Sequence, residues 1–384
     1  MGACIEENSR MELLREKIMN GLFDRTEMIY PPLAERYSKV DITEASVKPE
    51  TVSLDGFDGK LVSRCERIAE EIRSAKELGA SVVCAFGAHS IKNGLGRLIG
   101  TLLREGYFTH VCTNGAGIIH DWEFAFLGRS SEDVRANVAV GRFGTWQETG
   151  EYINLAITAG AYAGLGYAES VGKLVNDDGI MIPSAEELES AAADRTLPAR
   201  KRAAALDFKN TVELCGLKEG FLEIPHSYKK YSIHPYVSKS DGRFTCHPMF
   251  GHDIIYTHYA NNGAAIGRCA ETDFLSYADS ISKLQNGVYL SIGSAVMSPM
   301  IFEKSLSMSR NVSLQSGRNI DSFSVHVADL QKSAWDWSKG EPPMDDPAYY
   351  LRYMKTFSRM GGNVDYISAD NRDILQILYT LLHT

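Results

Sequence analysis

The amino-acid sequence predicts an α/β protein built on a Rossmann-like parallel sheet flanked by helices. Residues 80–89 ("ASVVCAFGAH") and 109–117 ("THVCTNGAG") are short apolar runs that are rich in β-forming residues and lead into glycine. The amphipathic segment 92–106 ("KNGLGRLIGTLLREG") lies between them and is closed by Gly106. A strand, a helix and a second strand at this spacing form a βαβ unit, in which the two strands are parallel.

Later segments repeat this pattern. We expect further strands at 253–265, 286–296, 321–329 and 363–371, because each is β-rich and ends in small or polar residues. Apolar residues at helical spacing from Leu61 to Ala75 predict a helix ahead of the first strand. One sheet that gathers all these strands is the simplest arrangement.

The expected domain organisation is an N-terminal helical extension over residues 1–59 and a single catalytic domain over residues 60–384. Within that domain, residues 184–216 are polar and Ala-rich, and they form a peripheral helical segment. Ser184 is a typical helix-starting residue, and Pro198 interrupts the helical pattern.

Composition narrows the class of partner. Apolar residues make up 44% of the chain and charged residues 23%, and no apolar run approaches the roughly 18–20 residues that a membrane span needs. The first 15 residues lack the apolar core of a secretory signal, so we expect a cytoplasmic protein. The net charge of −9 disfavours nucleic acid and suits a cationic small molecule. Seven cysteines without a C-x-x-C favour reduced thiols over disulfides or structural zinc.

The ends of four predicted strands carry residues suited to a nucleotide. Glycine and alanine let a ribose or a pyrophosphate approach the backbone, while Asn and Asp can hold ribose hydroxyls or an amide. Such residues also terminate strands in many proteins, so it is their recurrence on successive strands that favours a ligand. A P-loop nucleoside triphosphatase is disfavoured because G-x-x-x-x-G-K-[ST] is absent. The four turns are 87–90, 113–117, 261–264 and 368–371.

The segment 110–123 ("HVCTNGAGIIHDWE") brings a candidate catalytic pair directly after one of these turns. Asp121 could orient the imidazole of His120 for acid–base work, with Glu123 two residues on. Alternatively, Asp121 and Glu123 are acids that stabilise a helix N-terminus. A metal site with His252 and His258 is a further alternative, although the spacing matches no metal motif.

The segment 333–355 concentrates aromatic and acidic residues ahead of Lys355. Aromatic faces beside carboxylates, such as those of Trp335 and Asp336, suit an alkylammonium substrate. A lysine among aromatics could have a lowered pKa and act as an amine nucleophile. A core or a subunit interface would show the same aromatics.

The order of these elements over roughly residues 60–384 resembles the deoxyhypusine synthase family. Residues 113–121 ("TNGAGIIHD") align position for position with the family's T-T-A-G-G-[VI]-E-E-D, and the turn at 88–94 is similar to its S-N-L-x-S-S-G. Residues 324–331 ("SVHVADLQ") resemble its Y-I-N-T-A-Q-E strand. The stretch 347–355 ("PAYYLRYMK") keeps the proline-to-lysine step of P-[DE]-E-A-x-S-W-G-K, and 365–371 resembles its V-Y-A-D-A.

The resemblance implies a function and a set of site residues. Members of the family use NAD to oxidise the polyamine spermidine, pass its aminobutyl group through a lysine imine to a translation factor, and are tetramers. Lys355 would then be the imine-forming lysine and Asp336 a ligand of the substrate ammonium, and we expect Trp335 and Glu123 to contact the substrate as well. The NAD contacts expected from the resemblance and from the strand-end turns are Ala88, His89, Ser90, Thr113, Asn114, Gly115, Ala116, Asn262, Ala328, Asp329, Ala369 and Asp370.

The sequence also departs from the family. Ile119 and His120 stand where the family has the Glu-Glu pair that contacts the polyamine, and Tyr349 replaces a glutamate. Residues 286–297 resemble its G-G-G-V-x-K-H-H segment without a histidine. Our interpretation is a divergent, homotetrameric, NAD-dependent enzyme that oxidises an amine or an alcohol, with His120 and Asp121 as catalytic residues and amino-alkyl transfer through Lys355. The alternatives are a metal-assisted hydrolase and a catalytically silent nucleotide-binding protein.

Overall fold

The computed structural model describes residues 21–384, which form parts of two compact units. Each unit is assembled from three separate segments of the chain. The domain boundary expected between residues 59 and 60 lies inside one of these segments. Among the described residues, the helical unit comprises 21–39, Ser131–His226 and Met249–Thr272. The sheet unit comprises Val40–Ser130, Ser227–Pro248 and Asp273–Thr384. Two short strands, Ser38–Asp41 and Arg129–Glu132, carry the chain from one unit to the other.

A six-stranded parallel sheet forms the centre of the sheet unit, and its strands follow the spatial order β6-β5-β4-β1-β2-β3. Strands one to three extend the sheet in one direction, and the chain then returns to place β4 on the other side of β1. This order is that of dinucleotide-binding doubly wound sheets. The fold is therefore Rossmann-like, which confirms the predicted fold class. The strands are β1 (Val82–Phe86), β2 (His110–Thr113), β3 (Arg243–Cys246), β4 (Val288–Ile292), β5 (Ser324–Asp329) and β6 (Asn363–Ser368).

The sequence located all of these strands except β3, and one predicted strand is wrong. The segment 253–265 contains a 3-10 turn, Ile254–Thr257, and then the start of the helix Gly263–Ile281. Its 3-10 turn belongs to the helical unit and not to the sheet. The remaining strand, β3 (RFTC), is as short as β2, but it contains no apolar run that would mark it as a strand.

Helices cover the sheet, and the first of them illustrates why they form. Asp58 caps α1 by accepting a hydrogen bond from the backbone N–H of Lys60. Cys65, Ile68, Ala69, Ile72 and Ala75 make its buried face at helical spacing, as predicted. The helices of the sheet unit used below are α1 (Gly59–Glu77), α2 (Ala88–Lys92), α3 (Gly96–Arg104), α4 (Gly115–Leu127), α5 (Met297–Gln315), α6 (Arg352–Ser358) and α7 (Asn371–Leu382).

The aromatic stretch before Lys355 contributes mainly to the core. Trp337 and Tyr353 are buried in a cluster with side chains of β4, β5, α5 and α6, and Trp335 packs against that cluster. Tyr350 is exposed. Of the two interpretations that the aromatics allowed, burial in the core therefore accounts for most of them. Large members of the cluster are Tyr277, Tyr289, Phe302, Phe323 and Phe357.

The helical unit contains the segment that the sequence marked as helical. Ser184 caps the helix Ala185–Ala193 in a capping box with Glu187, and Pro198 separates it from the helix Ala199–Cys215. Both features were predicted. An antiparallel hairpin, Gly179–Ile182 with Gly220–Glu223, lies in the same unit. Its other helices are Val134–Ala139, Gln147–Ala163 and Tyr167–Asp177.

Two further findings concern the described part of the chain. The six cysteines after residue 20 are free thiols, and five of them are buried. Between residues 21 and 384, no helix combines the length and the apolar character that crossing a bilayer requires. Cys4 and the beginning of the expected N-terminal helical extension lie outside the described residues.

Candidate functional site

The carboxyl-terminal edge of the parallel sheet is the candidate site. Helices α4, α5 and α7 begin directly after β2, β4 and β6, so their N-termini converge on this edge. Each N-terminus presents free backbone N–H groups and the positive end of a helix dipole. In doubly wound sheets, ligands bind at this edge where the strand order reverses, which here is between β1 and β4.

The turns that follow β1 and β4 are in direct backbone contact at this point. Gly87 donates a hydrogen bond from its N–H to the carbonyl of Ile292 at 3.0 Å. A β-carbon placed on Gly87 would lie 2.0 Å from the carbonyl oxygen of Gly293, a distance that no real side chain tolerates. Gly293 itself has a φ of +59°, a conformation that favours glycine. The sequence thus keeps both positions free of side chains at the switch point.

Two asparagines tie the first and last helices of this edge together. The side-chain amide of Asn371, at the start of α7, donates to the hydroxyl of Ser90 in α2 at 3.2 Å. Asn93 donates to the side-chain oxygen of Asn371 at 2.9 Å. Ser90 is fully buried, so its hydroxyl serves this bridge and not a ligand. The bridge fixes the position of α2 beside the turn that follows β1.

The end of β2 is held by tight helix–strand packing. The hydroxyl of Thr113 donates to the carbonyl of Phe86 at 3.0 Å, and Thr113 is fully buried. A β-carbon on Gly117 would lie 2.2 Å from that hydroxyl oxygen, so glycine lets α4 approach the strand. Asn114 caps α4 by accepting from the N–H of Gly117. Glycine is therefore needed at 117 for packing, and the hydroxyl of Thr113 is engaged within the protein.

Polar groups also line the ends of β5 and β6. The N–H of Ala369 donates to the carbonyl of Asp329 at 3.0 Å, and Asp370 caps α7 by accepting from the N–H of Arg372. His89 is exposed across from them in α2. Burial and the nearby Lys92 lower the pKa of His89, against the opposing effect of Asp370. The imidazole of His89 is therefore mostly neutral at physiological pH.

The structure brings most of the predicted cofactor residues to one edge. Ala88, His89 and Ser90 follow β1, the residues from Thr113 to Ala116 follow β2, and the two pairs Ala328–Asp329 and Ala369–Asp370 end β5 and β6. Asn262 lies in the helical unit. Sequence reasoning included Asn371 in the turn 368–371 but did not single out Gly293, Ser294 or Asn93. The glycine that ends the apolar run 286–293 was the available signal, but only the strand order makes it a neighbour of Gly87.

His120 is connected to a buried carboxylate through a serine. The Nδ1 atom of His120 lies 2.7 Å from the hydroxyl oxygen of Ser130, and that hydroxyl donates to Glu123 at 2.5 Å. Ser130 is fully buried, Glu123 is 1% exposed, and His120 is partly exposed. Glu123 was expected to contact substrate or to stabilise a helix N-terminus. It lies in the third turn of α4, too far from the first turn to stabilise the N-terminus of this helix.

Asp121 points away from His120 into a structural contact. Its carboxylate accepts from the hydroxyl of Ser232 at 2.5 Å and from the N–H of Ile233 at 3.1 Å, and the ring of His234 lies 3.7 Å away. Burial raises the pKa of Asp121 to about 7, although these two hydrogen bonds act in the opposite direction. The predicted catalytic His–Asp pair is therefore not formed: Asp121 anchors the 232–234 loop.

The residues of the alternative metal site are divided between the two units. His252 and His258 belong to the helical unit, whereas His120 and Asp121 belong to the sheet unit. His258 is fully buried, and burial lowers its pKa to about 3, with a smaller contribution from Arg25. Nowhere in residues 21–384 do three or more His, Cys, Asp or Glu side chains cluster as a metal site would require.

Lys355 has an environment opposite to the expected one. Its ammonium forms an ion pair of 2.6 Å with Glu341 and lies 3.5 Å from the centre of the Tyr349 ring. The hydrogen bond to Glu341 raises the pKa of Lys355. The predicted lowering of this pKa is therefore wrong. Asp336 is an exposed helix cap that pairs with Lys339, and Trp335 donates its indole N–H to the carbonyl of Gly340.

Comparison with known proteins adds structural likeness only. No protein family matches the sequence, and no curated protein is significantly similar to it. Similar solved structures include AgrE in a ternary complex with ornithine and NAD+ (TM-score 0.40, 14% identity, covering 85% of this chain and 34% of AgrE). A conserved putative LOR/SDH protein from Methanococcus maripaludis S2 has a TM-score of 0.40 and 14% identity, covering 86% of this chain and 71% of its own.

A third similar structure is ArgZ, an arginine dihydrolase from the ornithine–ammonia cycle in Cyanobacteria (TM-score 0.38, 12% identity, covering 83% of this chain and 32% of ArgZ). This chain therefore spans about a third of the length of AgrE and of ArgZ. None of these three proteins is a deoxyhypusine synthase. At this level of likeness, the chain's own geometry has to support any statement about its activity.

Proposed function

We propose that the sheet unit binds NAD at the carboxyl-terminal edge of its sheet and that the protein is an NAD-dependent enzyme oxidising a small amine or alcohol. The observation that carries this proposal is the strand order, which puts the reversal point between β1 and β4 and surrounds it with small residues. The N-termini of α4, α5 and α7 at the same edge suit an anionic pyrophosphate.

The residues at this edge suit NAD, although they differ from the usual dinucleotide-binding fingerprint. A G-x-G-x-x-G fingerprint and an acidic residue at the end of β2 are both missing, because Thr113 and Asn114 occupy that end. The backbone of Gly87, Ala88 and Gly293 would face the pyrophosphate, which needs close approach. Asp329 and Asp370, at the ends of β5 and β6, would hold ribose hydroxyls.

The hydrogen-bond chain at His120 supports a role for this residue as general base. Ser130 uses its one hydroxyl proton to donate a hydrogen bond to Glu123, so its oxygen accepts a hydrogen bond from the Nδ1–H of His120. In the neutral ring, Nε2 then carries the lone pair, which can take the proton from a substrate hydroxyl or from a substrate ammonium group. Bound NAD would supply the hydride acceptor.

The buried carboxylate supports this role. When His120 takes a proton, the positive ring is stabilised by Ser130 and, through it, by Glu123, which is 1% exposed. His120 lies five residues after the start of α4, or about 8 Å along the helix from the carboxyl-terminal edge of the sheet, which we call the nucleotide edge. Glu123 and Ser130 are therefore positioning residues, and His120 is the group proposed to contact substrate.

The substrate class and assembly remain part of the proposal. The net charge of −9 and the resemblance to an amine-oxidising family favour a cationic amine. AgrE, one of the similar structures, was solved with the amine ornithine and NAD+. Amino-alkyl transfer through Lys355 is not included, since Glu341 favours its protonated form. We also expect a homotetramer, as in the deoxyhypusine synthase family, and native mass spectrometry would measure this assembly.

Calorimetry with NAD, followed by absorbance of the reduced cofactor on adding a panel of amines and alcohols, tests the proposal. We expect binding at micromolar to millimolar NAD and reduction with at least one amine. His120→Ala should keep NAD affinity and lose reduction by about 10²-fold or more. No NAD binding at millimolar concentration would refute the proposal, and binding without turnover of any substrate would favour the silent nucleotide-binding protein.

A further inference from the structure

A second cleft opens in the sheet unit beside α1, with a volume of about 350 Å³. Ser324 and Asn363, the first residues of β5 and β6, line it, so it lies toward the amino-terminal edge of the sheet, opposite the nucleotide edge. Its volume falls in the range of small-molecule sites, ~300–1,000 Å³. The cleft is thus a separate place from the site proposed above.

Five charged side chains surround the cleft. Arg64, Arg67 and Glu71 come from successive turns of α1, while His326 and Asp365 come from β5 and β6. His326 and Asp365 are directly paired in the sheet register, so their side chains lie side by side on the same face. The sheet and the helix together therefore form a compact cluster of three basic and two acidic groups.

Both carboxylates of the cluster are already engaged. The guanidinium of Arg64 forms an ion pair with Asp365 and donates a hydrogen bond to the carbonyl of Tyr366 at 2.7 Å. The Nε2 atom of His326 lies 2.7 Å from the carboxylate of Glu71. These contacts account for the negative charge in the cleft.

Two cationic groups have unused donors. The side chain of His326 is 9% exposed, and its Nδ1 atom has no hydrogen-bond partner in the described chain, since the carboxylate of Asp365 is 3.8 Å away. The exposed guanidinium of Arg67 makes no hydrogen bond and no ion pair with any residue from 21 onward. Buried polar groups without partners are rare in folded proteins, and they often mark a ligand.

The charges balance only when His326 is neutral. Two arginines and two carboxylates sum to zero, and protonation of His326 leaves one positive charge. Burial lowers the pKa of His326, but the adjacent carboxylates of Asp365 and Glu71 outweigh burial and raise it. A protonated ring would carry an Nδ1–H without an acceptor within hydrogen-bonding distance, since the carboxylate of Asp365 is 3.8 Å away.

We propose that this cleft binds a small anion bearing a phosphate or carboxylate group, held by Arg67 and by protonated His326. A single negative charge neutralises the cluster, and an oxyanion supplies the acceptors that the guanidinium fork and the ring N–H lack. Binding should therefore take up a proton wherever free His326 is partly neutral.

The test uses the full chain without NAD, so its outcome is independent of the proposed enzyme activity. Inorganic phosphate and acetate are titrated while the imidazole signal of His326 is followed by NMR. We expect at least one anion to bind and to shift that signal. Because acetate keeps its charge from pH 6 to pH 8, weaker acetate binding at pH 8 would reflect loss of the proton from His326, whereas binding of phosphate alone would identify a phosphate site.

Arg67→Ala is the informative variant, because this exposed side chain can be removed without disturbing the core. It should weaken anion binding about tenfold or more. Lys60→Ala, which removes one exposed positive charge from the same helix outside the cleft, should leave binding unchanged. Equal weakening in both variants would indicate an adventitious ion only. That result, or no binding of either anion, would overturn the proposal.

Discussion

Gly87 and Gly293 approach each other so closely that a β-carbon on Gly87 would lie 2.0 Å from the carbonyl oxygen of Gly293. The two residues follow β1 and β4, the strands between which the strand order reverses. The contact involves backbone on both sides, so neither can move aside as a side chain could. The geometry of the proposed nucleotide edge therefore depends on the absence of a side chain at one position.

Gly87→Ala should separate these two turns. We expect the free energy of unfolding to fall by about 1–3 kcal/mol, the usual cost of overpacking, and NAD affinity to be lost with it. Chemical denaturation and calorimetry measure the two effects. Gly267→Ala is the matched control, because Gly267 is an exposed helical residue whose added β-carbon meets nothing within 4 Å. It should be neutral or stabilise by ~0.5–1 kcal/mol. Unchanged stability in Gly87→Ala would contradict the backbone contact.

Asp121→Asn should flatten the pH dependence of stability. Burial raises the pKa of Asp121 from 3.8 to about 7, so the folded state favours the protonated carboxyl. The stability that this group contributes is present below pH 4 and is lost as pH rises to about 7, a difference of up to about 4 kcal/mol. Unfolding free energies measured across this range should lose that slope in the variant. Asp241→Asn, at an exposed aspartate of the same unit, should retain it.

Ser130→Ala should remove the preference of His120 for the tautomer that is protonated at Nδ1. Without the hydroxyl, Nδ1–H loses its acceptor and the link to Glu123 is broken, so the proton can move to Nε2. Nitrogen chemical shifts of the imidazole report the tautomer directly, and the pH profile of turnover should shift with it. Ser130→Thr keeps the hydroxyl and should restore the wild-type shifts. An unchanged tautomer in Ser130→Ala would show that Ser130 does not orient the ring.

Lys355 should be a poor nucleophile in the folded protein. Its pKa is raised because Glu341 accepts a hydrogen bond from its ammonium, so little free amine exists near neutral pH. Borohydride trapping during turnover should leave no adduct on this residue. Glu341→Gln should lower the pKa and increase labelling of Lys355 by amine reagents, with the exposed Lys339 as internal reference in the same mass spectrum. An adduct on Lys355 in the wild type would restore the imine mechanism.

The fold was largely predictable because most of its elements have strong local patterns. Runs such as 82–86 are wholly apolar, as strands inside a parallel sheet must be. The exception at 254–257 has the same β-forming residues but packs in the helical unit, where Asn154 bonds the carbonyl of Ile255. Tertiary contacts override β-propensity in so short a segment.

The site was only partly predictable because its key relationships are distant in sequence. Strand-end turns of small and polar residues identified Ala88 and Asp370, since their signal is local. The pairing of β1 with β4 is not local, so nothing in the sequence made Gly293 a neighbour of Gly87. Likewise, the residue next to His120 in sequence suggested a His–Asp pair, whereas its partner in space is Ser130.

The strand order of the sheet also affects how the chain folds during its synthesis. The central strand β1 pairs with β4, which is synthesised roughly 200 residues later, a wait of roughly 10–40 s at ~5–20 residues per second. During that time a fully apolar strand has one edge without its neighbour on the ribosome. Such an edge recruits other strands, so nascent chains of this protein should depend on chaperones, and slower synthesis at low temperature should raise its soluble yield.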